Sequence, residues 1–121
     1  MNLELSSSCA DVIKYLPDFF KADLIESGRA DRVSPDRPPH LEDLGAGRYE
    51  ISEDFGSWEL VTMLAVYPKP QGSEIFATMT WGEYWDPSCL EIQRQRDSEL
   101  RQWGSNLEAY IGRQRGVREM S

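Results

Sequence analysis

The stretch from Ser57 to Asp86 constrains this chain more than any other, because it reads as two apolar strands around one turn that then break into an aromatic, acidic run. Trp58, Leu60, Leu64 and Val66 alternate with Val61, Met63, Ala65 and Tyr67. Both parities are apolar, which predicts a central strand covered on both faces. Pro68-Lys69-Pro70-Gln71-Gly72 ends it with turn-forming residues. Ile75, Ala77, Met79 and Trp81 then alternate with outward Thr78 and Thr80, the pattern of a returning strand with one face on the core. Upstream, Tyr49 and Ile51, with Phe55 beyond them, alternate with Arg48, Glu50 and Ser52, and Glu53-Asp54-Phe55-Gly56 reads as a tight turn. Short connections make these runs a three- to four-stranded antiparallel meander over residues 48–86, the fourth strand depending on how Cys89 to Gln93 is read.

Helical periodicity flanks this meander on both sides. Ser8 with Asp11 forms a capping arrangement, and Val12, Ile13, Leu16, Phe19, Phe20 and Leu24 recur at spacings of three and four, predicting a helix over residues 8–27 stopped at Gly28. Pro17 removes one backbone hydrogen bond in its middle, so a kink or two short helices are expected there. Phe19 and Phe20 are read as core residues rather than a ligand groove. Ser88 with Glu91 is a second capping arrangement, followed by Cys89, Ile92, Arg96, Leu100, Trp103, Leu107 and Tyr110 or Ile111 at helical spacing. A long helix over residues 88–112 packed on the sheet follows, with the alternative that Cys89 to Gln93 is a strand and Asp97 caps the helix. The polar residues 113–121 are expected to fray. Residues 28–47, rich in Gly, Pro, Asp and Arg, read as a loop. At 121 residues the chain is expected to be one α+β domain whose core needs neither disulfide nor metal.

Charge is distributed unevenly. The net charge of -8 divides into -2 over residues 1–41, -8 over residues 42–91 and +2 over residues 92–121. A field of that sign repels phosphate backbones and anionic lipid and attracts basic surfaces, so the expected partner is a basic protein, with no nucleic acid and no membrane. Acidity that only keeps a small domain in solution is the competing reading. Cys9 and Cys89 lack the spacing of a metal site and are too few for a disulfide scaffold. Nothing from Met1 to Ser8 reads as a signal peptide, and the longest uncharged apolar window, Leu60 to Tyr67, is far shorter than a membrane helix. A soluble, cytoplasmic chain is expected.

No catalytic motif is visible. His40 stands alone after Pro38 and Pro39, and Gly45-Ala46-Gly47 lacks the strand and helix that a phosphate cradle requires. No catalytic residue, metal ligand or cofactor is expected. The candidate binding residues are Glu50, Glu53, Asp54, Glu83, Tyr84, Trp85 and Asp86, because carboxylates around aromatic anchors suit capture of a Lys- and Arg-rich surface.

In this overall character, a small acidic α+β chain with few cysteines and the patch Trp81-Gly82-Glu83-Tyr84-Trp85-Asp86, the chain resembles the immunity proteins of contact-dependent and other bacterial polymorphic-toxin systems. The resemblance covers general character and no diagnostic motif, so no functional residue carries over by position. It implies an inhibitor that neutralises a basic, nuclease-type toxin through a one-to-one complex. The chain also resembles the acidic dimeric chaperones that hold effector proteins for secretion, departing from them at the C-terminal end, where one long helix stands in place of further strands. A third reading, a small enzyme using its carboxylate cluster, requires those acids to converge in a pocket. The inhibitor is expected to be a monomer or a weak dimer.

Overall fold

The computed structural model describes residues 1–27, 39–55, 59–82 and 87–120. Among them the order is β1 (Asn2–Leu5), α1 (Cys9–Ser27), β2 (His40–Gly45), β3 (Arg48–Asp54), β4 (Glu59–Lys69), β5 (Gly72–Trp81) and α2 (Ser88–Met120). The fold is α+β. All strand pairings are antiparallel in a five-stranded sheet ordered β1-β5-β4-β3-β2, with β4 in the centre as its apolar length predicts. The helices lie on one face of it.

The two outer strands extend the predicted meander. β1 carries Leu3 and Leu5 inward and Asn2 and Glu4 outward, and it pairs with residues more than 65 positions away, Asn2 with Phe76 and Leu5 with Ser73. β2 occupies part of the predicted 28–47 loop. Its residues are nearly all exposed, so it has no alternating burial to betray it, and backbone pairing to β3 holds it in place. The turn into β3 places Ala46 at φ 54° and Gly47 at φ 77°, the two positive values that a type I′ hairpin demands. Gly45-Ala46-Gly47 is therefore hairpin chemistry. At the β4–β5 turn, Gly72 adopts φ 146°, and a Cβ there would meet the Leu5 carbonyl oxygen at 2.1 Å, so only glycine lets β1 close against the hairpin.

β4 departs from its prediction in one respect. Leu60, Thr62, Leu64 and Val66 are buried under the helices, whereas Val61, Met63 and Ala65 are half-buried and Tyr67 is exposed. Apolar residues of both parities belong to a strand whose outer face has no helix over it among the described residues.

α1 begins as its sequence predicts, with the Asp11 amide donating to Ser8 Oγ at 3.2 Å. Val12, Leu16, Phe19 and Phe20 are buried, and Tyr15 joins them. One helix, not two, runs through Pro17. A main-chain N–H at position 17 would donate to the Ile13 carbonyl, and proline has none. The Tyr49 hydroxyl from β3 donates to that carbonyl instead, at 3.2 Å. Tyr49 is itself a core residue.

α2 includes Cys89 to Gln93, which settles the strand-or-helix alternative for helix. It continues to Met120, beyond the expected end at Gly112, so residues 113–120 of the tail expected to fray are helical. The Arg115 guanidinium ties this last part to the first turn of α1 through Asp11, Nη1 to Oδ2 3.2 Å. Trp103 joins the helices. Phe19 meets its ring edge-on at 5.3 Å between centroids, Phe20 lies at 6.3 Å, and its indole N–H donates to Asp23 Oδ2 at 3.1 Å. No helix among the described residues is long and apolar enough to cross a membrane.

Candidate interaction surface

Strand alternation divides the acids of the sheet between two environments. On β3, Glu50 and, by the same alternation, Asp54 belong to the outer face, while Glu53 points inward and is 1% exposed. Register sets the neighbours of Glu50: Met63 on one side and Glu42 of β2 on the other. Thr78 completes that row beyond Met63. The next rows align Arg48 with Ala65 and Phe76, and Ser52 with Val61 and Thr80. Tyr67 and Phe76 are 48% and 42% exposed on this face, diagonal neighbours because Tyr67 pairs with Glu74 and Phe76 with Ala65.

The outer face thus combines an apolar stripe along β4 and β5 with carboxylates around it. Glu42, Glu50, Asp54 and Glu59 lie toward β2, β3 and the start of β4, and Glu4 and Glu74 toward β1. Among the described residues the cations of this face are Arg48 and Lys69. Lys69 is spoken for: its Nζ lies 2.8 Å from Glu74 Oε2, and this hydrogen bond, with the nearby Glu74 and Glu4 charges, raises its pKa above the ordinary 10.5. Among the described residues no ion pair engages Glu42 or Glu50. They are nevertheless direct cross-strand partners. Like charges so placed oppose folding.

Glu53 has a different fate. The Arg96 Nε donates to Glu53 Oε1 at 3.1 Å and Oε2 at 2.9 Å, and its Nη1 donates to Glu99 at 3.2 and 3.3 Å. Phe55 lies 5.8 Å from the guanidinium carbon and stacks, tilted, on Trp81, whose indole donates to Gln93 Oε1 at 2.8 Å. The predicted binding residue Glu53 is therefore enclosed on the helix-covered face, where a partner reaches it only by displacing Arg96. A carboxylate so buried needs a paired cation, and α2 supplies one from within its apolar stripe. Arg96 appeared in the sequence only as a member of that stripe. A charged residue at a core position of the helix was the available signal for the pair.

The predicted residues Glu83, Tyr84, Trp85 and Asp86, like Trp58, lie outside the described residues. Of the described candidates, Glu50 and Asp54 share the outer face and Glu53 does not join them. The residues that sequence reasoning passed over are Glu42, hidden in a stretch read as loop, and the outward apolar set Val61, Met63 and Phe76. The signal was β4 itself, unusually apolar on the parity that no helix covers among the described residues.

The void beside Arg96, lined by Ile51, Thr62, Glu99, Leu100 and Trp103, measures about 10 Å³, which leaves no room for a substrate. Two open hollows, of about 370 Å³ beside Glu4, Lys69 and Ser73 and about 350 Å³ beside Asp23, Asn106 and Arg113, each hold a carboxylate and a cation but no convergent acid pair. No group of three or more His, Cys, Asp or Glu residues among those described is placed to hold a metal. Comparison with known protein families, curated proteins and solved structures finds nothing that matches this chain.

Proposed function

We propose that this chain acts by binding a basic protein through the outer face of its sheet, as an inhibitor of the immunity-protein kind that neutralises a nuclease-type toxin in a direct complex. The observation that carries the reading is the Glu42–Glu50 pair, two carboxylates set directly opposite each other on the outer face with no cation engaging either among the described residues. The fold gains nothing from this arrangement, whereas a Lys- or Arg-bearing partner relieves it and is steered toward it by the acidic field. Exposed Phe76 and Tyr67 beside the acids supply apolar and aromatic contact of the sort that dominates interface energetics. The test is affinity capture with the wild-type chain and with an E42K/E50K variant. A single basic protein held in one-to-one ratio by the wild type and released by the variant supports the reading. Equal capture by both overturns it.

A further inference from the structure

On that reading of the outer face, we infer that its occupant is an amphipathic α-helix of the partner, laid along β4 and β5 with its apolar stripe down and one Arg- and Lys-rich flank turned toward Glu42 and Glu50. Three features of the sheet select this shape. The first is the layout of the face. Val61, Met63, Ala65 and Tyr67 follow one another along β4 with Phe76 beside them, so the apolar stripe runs parallel to the strands and spans about 20 Å at roughly 3.4 Å per residue. A helix of about 14 residues has that length at 1.5 Å per residue. Glu42 lies two strands from Met63, about 10 Å to one side. A Lys or Arg side chain on the flank of a helix seated over β4 and β5 reaches that far.

The second feature is the state of the edges. A partner strand would add to β1 or β2, the two outer strands of the sheet. β1 has four residues, and the β2 register slips between Asp43 and Gly45, a bulge that interrupts the ladder at an acidic position. Short and bulged strands of this kind are how sheets block strand addition. An extended segment laid across the face would leave its own backbone groups unpaired, whereas a helix brings its hydrogen bonds with it. The opposite face already takes α1 and α2 in this way.

The third feature is charge. Among the described residues the outer face carries Glu4, Glu42, Glu50, Asp54, Glu59 and Glu74 against Arg48 and Lys69. Two copies of this chain meeting face to face would bring those carboxylates together, so the occupant is a basic partner and not a second copy.

The experiment is a titration of the ¹⁵N-labelled full chain with a stapled 14-residue helical probe, its Leu and Ala residues on one face and its Arg residues on one flank, and with a scrambled probe of the same composition. The expected result is a set of saturable amide shifts centred on Val61, Met63, Ala65 and Phe76, with affinity lowered at least tenfold by M63E and at least fivefold by E42K. E42K replaces an exposed group and relieves a like-charge pair, so it retains the fold. Equal binding of the scrambled probe, shifts centred on β2 or on the helices, or indifference to both substitutions overturns the inference. Failure here is separable from failure of the functional reading: a basic protein captured by the wild type, released by E42K/E50K and still held by M63E would sink the helix and leave the acidic surface standing.

Discussion

Replacing Tyr49 by Phe removes one hydroxyl, and with it the donor to the Ile13 carbonyl that Pro17 leaves without a main-chain partner. Losing a neutral hydrogen bond costs about 1 kcal/mol, rising toward about 3 kcal/mol as the orphaned acceptor is shut off from water. The Tyr49–Ile13 bond is partly buried, which puts the expected loss for Y49F at about 1–2 kcal/mol in urea unfolding followed by circular dichroism. The informative comparison uses P17A. That substitution restores an N–H aimed at the Ile13 carbonyl, so in its background Y49F should cost less than about 0.5 kcal/mol, a coupling of about 1 kcal/mol. Additive costs would refute the exchange of one donor for the other. Alkaline pH probes the same group. Burial first, then the Asp43 charge and Cys9, raises the Tyr49 pKa above the ordinary 10.0. The fold favours the neutral phenol, so its contribution is fully present below about pH 10 and is lost as pH rises from there through the folded value. Lys69 at the surface, held above its ordinary 10.5 by Glu74, adds an alkaline titration of its own. The comparison is therefore between wild type and Y49F, and Y49F should show the shallower alkaline decline.

The buried ion pair and the like-charge pair of the outer face respond in opposite directions. R96M leaves Glu53, at 1% exposure, without its cation and should destabilise by about 3–5 kcal/mol in the same assay, while E53M/R96M should recover most of that loss; equal losses for single and double variants would contradict this account of the pair. E42K places a cation opposite Glu50 and should raise stability by up to about 1 kcal/mol. Loss of stability in that variant would mean that Glu42 holds the fold in some other way.

Periodicity was sufficient for the buried face of α1, for the face assignment of β5 and for the buried stripe of α2, because each of those elements buries one side of itself and marks it in its own sequence. It failed where burial is absent or the partner is remote. β2 shows no alternation in burial because an edge strand is held by backbone bonds. β1 is four residues long, and its pairing to β5 spans most of the chain. The continuity of α1 through Pro17 depends on a hydroxyl from β3, a tertiary rescue invisible to local propensity. The acidic surface was half legible. Clustering drew attention to Glu50, Glu53 and Asp54 together, but strand parity sends Glu53 to the opposite face, where Arg96 waits on a helix 43 positions away. Glu42 emerged only with the β2–β3 register. β4 misled for a physical reason as well: apolar residues of both parities look the same in the sequence whether or not a second layer of the chain covers the strand.

On the proposed function, the outer face holds a basic protein through Glu42 and Glu50 beside its apolar stripe. The most direct measurement is quantitative affinity capture from the native source at low and at high salt, with wild type, E42K/E50K and M63E compared side by side. The expected result is one basic protein in stoichiometric amount on the wild type at low salt, reduced at high salt and lost from E42K/E50K. The same protein retained in full by E42K/E50K, or a stoichiometric partner that is itself acidic, would contradict it.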